Sequence, residues 1–561
     1  MRHPPLRSGP HPTHEVTNQV RPLAGHDVAA DPALLSAVER EGAAWVTAEL
    51  HELGPLAGAP QTQELARLAN TCPPVLRAFD QLGNRIDEVE FHPAWHQLMD
   101  TAIRYGMHAA PWADPRPGAH VARAAKFYVW TQAEAGHGCP VSMTYAVVPA
   151  LRHNGDLAAA FEPLLTTLDY QPGLTVPQGK AGLLAGMGMT EKQGGSDVRA
   201  TTTRAAPDGA GGYVLTGHKW FCSAPMCDLF LVLAQAPEGL SCFLLPRVLP
   251  DGTRNAMRLQ RLKDKLGNRS NASAEVEFDG AAAWLVGEPG RGVATIIEMV
   301  TATRLDCVLG SAAQMRQACV TAAAYARVRQ AFGKTLLDHP LMESVIADLT
   351  LESEAATVLA MRLAGAADRA ARGDAGEADL LRLALPAAKF WVCKRAPMVA
   401  GEALECLGGN GYVEDSQLPR LYRDAPLNSI WEGSGNVTAL DVLRALTRRP
   451  EAAGQVLAEI DAAAGADRRL DAAAGALRRD LAGLPGAGPA GYGARRLAGQ
   501  LAVALQAALL TRFSPGPVAE AFCASRLDPA APGGPGAPFG TLPDGLALDE
   551  VLARSLVPAP R

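Results

Sequence analysis

The sequence predicts an α+β protein, mainly α, built as an N-terminal helical domain, a middle antiparallel β-barrel or sandwich, a helical bundle and an extra C-terminal helical domain. Three observations predict it. Apolar residues recur at three- and four-residue steps over the first third of the chain. Between about 180 and 290 the texture changes to short apolar or alternating runs cut by Gly, Pro and Asp. Long helical runs then return. Helices, strands and helices again argue for separate layers and against a βαβ nucleotide fold. The 561 residues are too many for one hydrophobic core. The divisions read as a loose tail over 1–29, a helical domain over 30–180, a β domain over 181–292, a helical bundle over 293–449 and a last helical domain over 450–561.

The tail, MRHPPLRSGPHPTHEV, is rich in Pro and His and has no apolar core, so it is no signal peptide. No apolar run is long enough to cross a membrane. "DPALLSAVEREGAAWVTAEL" places Leu34, Leu35, Val38, Ala43, Trp45 and Val46 at helical steps, with Asp31 as N-cap. In "FHPAWH", His92 and His96 have the spacing of two metal ligands on a helix. Pro93 lies between them and no carboxylate ligand adjoins, so no metal site is expected. "GGYVLTGHKWFCSAP", "DLFLVLAQ", "LSCFLLPRVLP" and "SAEVEFDGAAAWLVG" read as antiparallel strands. "SAAQMRQACVTAAAYARVRQAF" and "LLRLALPAAKFWVCKRAPMVAGEALECL" read as long helices. Beyond 450, Val456, Ile460, Ala463, Leu470, Ala474, Leu477 and Leu481 predict one more helix, and "GLPGAGPAGYG" and "DPAAPGGPGAPFG" read as loops.

Hydrophobic residues at 48% and charged residues at 20% are an ordinary globular balance. A net charge of -6 gives no global pull toward nucleic acid, so such binding needs a local patch. The ten cysteines make no CxxC, which reads as free thiols in a reducing cytoplasm.

Neither GxGxxG after a strand nor GxxxxGK[ST] occurs. "GMGMTEKQGGSDV", Gly186 to Val198, offers Gly194 and Gly195 for close backbone approach and the hydroxyls of Thr190 and Ser196. Alone it reads as a nucleotide loop or as an ordinary turn. "NSIWEGSGN", Asn428 to Asn436, has one ionisable side chain, Glu432, which by itself is a catalytic base or a charge at a bend. Three more stretches fall in order: "KWFCSAP", with Ser223 after Trp220 and Phe221; "RQAFG" from Arg329; and "ECLGGNGYVEDSQLPRLYRD" from Glu405.

This set resembles the acyl-CoA dehydrogenase family of flavoproteins. "GMTEKQGGSDVRA" fills every constrained position of its first signature and "ECLGGNGYVEDSQLPRLYRD" those of its second. The similarity runs from about 180 to 445. "GHKWF", "RLKDKLGNRSNAS", "NSIWEGSGN" and, upstream, "ELARLAN" and "FHPAWH" resemble the AidB branch, bacterial proteins linked to the adaptive response to DNA alkylation. The likeness fades after about 450, where that branch carries an extra helical domain.

The resemblance implies an FAD cofactor. It implies that Thr190 and Ser196 hydrogen-bond the flavin and its pyrophosphate near the backbone of Met187, Met189 and Gly195. Phe221 would pack on the isoalloxazine and Ser223 reach its N5 region, with Cys222 between them in the cofactor set. Gly408, Gly409, Ser434 and Asn436 complete that set, and Arg329 and Phe332 would hold the FAD of a neighbouring subunit in a homotetramer. Pro340 stands where family members often place Gln, which removes one adenine-side contact. Glu432 takes the role of the base that removes the α-proton of an acyl-CoA. Other members keep their base just before the arginine of the next domain's first helix, but here Thr303 precedes Arg304 and cannot serve. Arg444 either turns inward to pair with Glu432 or is solvated, and the solvated reading is preferred.

The expected function is an FAD-containing, acyl-CoA dehydrogenase-like protein of the alkylation response. It binds double-stranded DNA and keeps weak or residual activity on an acyl-CoA or similar small substrate, with no membrane partner. One alternative is a catabolic acyl-CoA dehydrogenase or oxidase; another is a flavin-bound DNA-binding scaffold without turnover. From 451 to 561 there are ten Arg, no Lys and eleven acids, so any DNA contact rests on the pairs Arg468/Arg469, Arg478/Arg479 and Arg495/Arg496. The plain alternative is a solvated face with ion pairs to Asp467, Asp471 and Asp480.

Overall fold

The computed structural model describes residues 13–483, 491–531 and 534–557. Residues 1–12 of the expected tail, parts of the two Gly/Pro-rich stretches expected as loops, and residues 558–561 lie outside the described residues.

The Asp31 carboxylate accepts from the Ala33 amide and caps the helix Pro32–Arg40, with Pro32 at its first position. That helix does not run on to Leu50. Gly42, at φ 85°, turns the chain before it resumes as Thr47–Gly58. Trp45 lies outside the core under the Arg116 guanidinium, 3.5 Å from the ring centre.

The N-terminal domain is not wholly helical. Val75–Phe79 and Arg85–Glu90 pair antiparallel as a hairpin. Its alternation is hidden by charge, because Arg77 pairs across the strands with Glu90, Glu88 pairs with Arg254 of the β domain, and Arg85 pairs with Asp87 in its own strand. Arg85 also donates to the Leu259 carbonyl at 2.7 Å, which seats the hairpin on the β domain. The helices Ala119–Thr131 and Gly138–Leu151 are buried nearly all round, as suits central helices.

The β domain closes into a small barrel. Leu229–Ala236 pairs with Gly239–Pro246, which pairs with Ser273–Val286, then with Tyr213–Ser223, then with Arg204–Pro207, which returns to Leu229–Ala236. Met257–Leu262 adds to Ser273–Val286. The ladder is mostly antiparallel as expected, but Ala185–Gly188 joins Leu229–Ala236 in parallel, and the closing Arg204↔Gln235 contact is parallel too. Closure leaves few free edges.

Three long helices follow: Gly292–Ala326, Pro340–Ala371 and Ala375–Cys406. The first ends before "RVRQAF", which forms a turn and the two-residue strands Gln330–Ala331 and Lys334–Thr335. At 35 residues it is about 50 Å long, enough to touch the N-terminal helices, the barrel and its two partners.

The expected helix after 450 is two, Glu451–Asp461 and Arg468–Gly483, broken by Gly465 at φ 80°. Their apolar stripe is continuous: Val456, Ile460, Ala463, Leu470, Ala474 and Leu477 are all buried. Ala494–Phe513 buries most of its residues against the bundle. Arg526 reaches Asp348 and, at 3.2 Å, Glu352, and Arg554 reaches Glu354 at 2.7 Å. Removing one partner of such a buried pair costs about 3–5 kcal/mol, so the C-terminal helices are built into the body. Among the described residues no helix is long and apolar enough to cross a membrane.

Candidate active site

A cavity of about 530 Å³ opens where the barrel, the N-terminal helices and the long bundle helix meet. Each wall has a local cause. Along Gly292–Ala326, residues 293, 296, 300, 303, 307, 310 and 314 line it at three- and four-residue steps, one continuous helix face. Arg123, on Ala119–Thr131, grips Asp306 with both guanidinium arms, one at 2.8 Å, and fixes that face against the N-terminal domain.

On the barrel side, Met187, Met189, Thr190, Gly195, Ser196, Phe221 and Ser223 all line the cavity. The turn after Met189 is held from beneath. The Glu191 carboxylate accepts from Lys219 Nζ at 2.8 Å and from the amides and hydroxyls of Thr202 and Thr203. Burial alone would raise its pKa, but Lys219 and these donors hold it well below the usual range. At Gly195 a Cβ would lie 2.5 Å from Thr190 Oγ1, so only glycine lets the loop close on that hydroxyl.

Glu432 stands in the opposite wall. Its Oε2 accepts from Thr303 Oγ1 at 2.8 Å. Burial pushes its pKa up, while the Thr303 hydroxyl, Lys389 and Arg304 pull against that rise. Its backbone is held too. Arg304 Nε donates to the Glu432 carbonyl at 2.8 Å while its Nη1 pairs with Asp441 at 2.7 Å, and Lys389 Nζ donates to the Gly433 carbonyl at 2.7 Å. Trp431 Nε1 donates to Asn428 Oδ1 at 3.0 Å, which fixes the residue before the acid.

Sequence reasoning missed three of these groups. Thr303 looked only like a place where a base was lacking; it is the donor to the Glu432 carboxylate. Arg304 and Lys389 carried one signal, a cation within a largely apolar stretch of helix, and both proved buried.

Arg444 lines the cavity but does not pair with Glu432. Its half-exposed side chain comes no closer than 4.0 Å to Asp441, whose carboxylate Arg304 and Arg382 already hold. Ser434 lines the cavity, whereas Cys222, Gly408, Gly409, Arg329, Phe332 and Asn436 do not. Cys222 alternates with Phe221 and Ser223 along a strand, so it points into the barrel, where burial pushes its thiol up to about 12. Gly408 and Gly409 begin the short helix Gly409–Tyr412. Phe332, at the hairpin tip with φ 51°, is 97% exposed, and Arg329 beside it donates to the Asn18 carbonyl. Asn436 is exposed and accepts from Arg495 Nη1 at 3.0 Å.

The six C-terminal arginines differ in their partners. Arg495 turns to Asn436, Arg469 is held by Asp467 at 2.6 Å, Arg478 by Asp461, and Arg496 lies 3.9 Å from Asp480. Arg468 and Arg479 are exposed and have no ion pair or hydrogen bond among the described residues. His92 and His96 serve structure: His92 caps its helix by accepting from Ala94, and His96 Nδ1 lies 2.8 Å from the Tyr170 hydroxyl. Of the ten free cysteines only Cys72 is exposed.

The residues fit a flavin dinucleotide. The cavity has the volume of a cofactor site, its walls are largely apolar, and its polar groups converge. Two buried amides are left open: Gln314 Oε1, on the lining, and both side-chain atoms of Asn271 have no protein partner.

Comparison with known proteins agrees. Residues 18–172 match the N-terminal domain of the adaptive response protein AidB, 186–281 the acyl-CoA dehydrogenase middle domain, and 290–447 the acyl-CoA dehydrogenase C-terminal domain. The chain is 48% identical over 521 residues to AidB of Escherichia coli (strain K12), covering 92% of this chain and 95% of that one. It is 33% identical over 407 residues to acyl-CoA dehydrogenase family member 11 of Caenorhabditis elegans, covering 68% and 64%. The crystal structure of Caenorhabditis elegans ACDH-11 in complex with C11-CoA superposes with a TM-score of 0.84 at 28% identity, over 92% of this chain and 94% of that one.

Proposed function

The chain belongs to the acyl-CoA dehydrogenase family, in its AidB branch, and from that premise we propose that it is an FAD enzyme that oxidises an acyl thioester with Glu432 as base. One observation carries the reading. The Glu432 carboxylate, held by Thr303, faces the same cavity as Thr190, Ser196, Phe221, Ser223 and Ser434. FAD bound there supplies the acceptor for the hydride that leaves the β-carbon. Glu432 takes the α-proton, and a carboxylate whose pKa is raised by burial is the stronger base for it. Arg304 and Lys389 hold the acid's backbone in place while the proton moves. Thr190 Oγ1, Ser196 and Ser223 supply hydroxyls to the cofactor, and Phe221 a flat apolar wall. The C11-CoA bound by the Caenorhabditis elegans neighbour supports an acyl-CoA as the substrate class.

The test is anaerobic addition of acyl-CoAs of graded length to the flavin-loaded protein. Bleaching of the flavin band is expected, and Glu432→Gln should slow it by about 10²–10⁴-fold, the loss typical of a missing general base, with FAD content unchanged. Near-normal bleaching in that variant would place the base elsewhere.

The wider role in DNA alkylation stress is supported by the AidB likeness and by Arg468 and Arg479, exposed cations free to meet phosphates. A homotetramer is supported by the Phe332 tip, which stands 97% exposed with the His339 ring edge beside it. A second reading, a flavin-bound DNA scaffold without turnover, is favoured by Arg444, whose loosely tethered cation faces the lumen. Flavin that stays oxidised with every acyl-CoA, in protein that shifts duplex DNA, would select it.

A further inference from the structure

One end of the main cavity is closed by an amide with nothing to bond to. Gln314, on the Gly292–Ala326 helix, lines the cavity and is 3% exposed. Its Oε1 is buried without a donor, and its Nε2 has no acceptor among the described residues. Gln317, three residues on, is open at both side-chain atoms as well, so no neighbouring amide has turned to satisfy Gln314. A buried primary amide left unpaired is costly, and each one calls for a partner.

The helix shows which end this is. It starts against the barrel, where a Cβ on Gly292 would lie 2.4 Å from the Ser241 carbonyl carbon. Thr303, the donor to Glu432, lies three turns along it. Gln314 is about 16 Å beyond Thr303, and no later residue of the helix lines the cavity. The amide therefore stands at the end remote from the barrel residues Thr190, Phe221 and Ser223. Between Thr303 and Gln314 the helix offers the lumen only Cys307 and Gly310, a thiol that behaves as a small apolar group and a bare backbone. Phe127, Met143 and Leu427 add apolar wall. The charged groups on the lining are committed elsewhere. Asp306 is paired with Arg123, Arg304 with Asp441, Asp424 accepts from the Asn268 amide, and Arg444 is half-exposed on a different helix. An apolar stretch that starts at the base thus ends on an uncharged amide.

We propose that the Gln314 amide is a subsite for the distal end of the substrate, and that the preferred acyl thioester carries a hydroxyl at or next to its chain end. The proposal rests on the acyl thioester reading above and deepens it by naming the substrate's class. A hydroxyl both donates and accepts, which matches the two halves of an amide. A methyl end leaves the amide unpaired, and a site made to bond a hydroxyl rejects the chain that lacks it. A carboxylate end would be buried with no free cation to meet it.

The test titrates the full, flavin-loaded chain with straight-chain acyl-CoAs of graded length, each beside its ω-hydroxy and ω-carboxy counterparts. Binding is read by calorimetry and reduction by anaerobic bleaching of the flavin band. At the chain length that reaches Gln314, the ω-hydroxy compound is expected to bind about 10- to 100-fold more tightly than the unsubstituted chain, and the ω-carboxy compound more weakly than either. Gln314→Leu and Gln314→Met, compared with the parent at equal flavin loading, should both lose the hydroxyl preference and bind the unsubstituted chain more tightly. A general loss of packing would weaken all three series together and leave their ratios unchanged, and that result would overturn the subsite. Equal affinity for hydroxylated and plain chains at every length in the parent would overturn it too, with water as the amide's partner, while leaving the acyl-CoA reading intact. A preference that survives both substitutions would place the hydroxyl's partner elsewhere and overturn the part given to Gln314. Tightest binding of the ω-carboxy chain would overturn the neutral class. If no chain binds or bleaches the flavin, the acyl-CoA reading itself falls and takes the subsite with it.

Discussion

Thr303→Val isolates one hydrogen bond on the base. The Thr303 hydroxyl has one proton and three acceptors in reach: Glu432 Oε2 at 2.8 Å, and the carbonyls of Met299 and Val300 at 3.2 Å each. The carboxylate wins, because a charge-assisted bond is shorter and about twice as strong as a neutral one. Such a bond is worth about 1.5–3 kcal/mol net, and one pKa unit is about 1.4 kcal/mol. Burial already raises the Glu432 pKa, and the Thr303 bond works against it. Replacing the hydroxyl by a methyl should therefore lift the pKa by a further one to two units or so. Glu432 accepts a proton only when ionised, so the acid limb of the kcat/KM–pH profile should move up by that amount. The plateau above it should stay level or rise, since the base is stronger. Stability carries the same sign. A folded-state pKa raised above the unfolded one stabilises the fold at low pH, and that contribution is lost as pH climbs through the folded value. The variant's melting temperature should thus fall over a wider alkaline-going window than the parent's. Thr303→Ser keeps the donor and should behave as the parent. An acid limb that stays put in the valine variant, with normal flavin content, would refute the hydrogen bond as a tuner of this base.

Glu432→Asn should end dehydrogenation yet leave the protein as stable or more so by about 1–2 kcal/mol, because Asn tolerates φ > 0 and carries no charge to bury; calorimetry with flavin bound checks it, and a loss of several °C would contradict it. Arg468→Ala with Arg479→Ala should weaken duplex DNA binding without sequence preference and flatten the plot of log affinity against log salt by about two units, near 0.9 for each phosphate no longer neutralised. An unchanged slope in an electrophoretic shift series would take these two arginines out of the DNA reading.

The order of layers was legible in the sequence because periodicity changes where layers change. "DLFLVLAQ" and "LSCFLLPRVLP" hold central strands of the closed barrel and read as such, since short apolar runs bounded by Asp and Gly fit a buried strand. The hairpin at Val75–Phe79 was illegible for the opposite reason: its outward residues are charged pairs that look like loop. At the site, Thr190, Ser196, Phe221, Ser223, Glu432 and Ser434 were found through motifs, and they converge on one cavity. Motifs mark residues that touch a ligand. They say nothing about what holds those residues, so the roles of Arg304, Lys389 and Asp441 went unseen. Asn436 and Arg495 show the same limit from the other side, because only the chain's path brings residues 59 apart into contact.

Glu432 answers a question that its sequence setting poses in two incompatible ways. Glycines around a lone acid suggest a bend, and a carboxylate beside Trp431 suggests a base. It is both at once. Its φ is 56°, left-handed, which only five other described non-glycine residues share, and Gly433 follows at 101°. Left-handed backbone costs a residue with a Cβ about 1–2 kcal/mol, and a glycine or asparagine would avoid most of it. Burying the carboxylate adds a second cost, visible in its raised pKa. A fold selected for stability alone has no reason to accept both at one position. Here the strain is over-determined from outside: Arg304 on the Glu432 carbonyl, Lys389 on the Gly433 carbonyl, and Thr303 on the carboxylate. Each comes from a long helix that the bundle would keep in any case. With the backbone so turned, the carboxylate meets Thr303 and lines the cavity, where under the proposed function an α-proton would reach it. Strain, raised pKa and three converging donors therefore have one common explanation, a carboxylate held facing the cavity with its basicity intact.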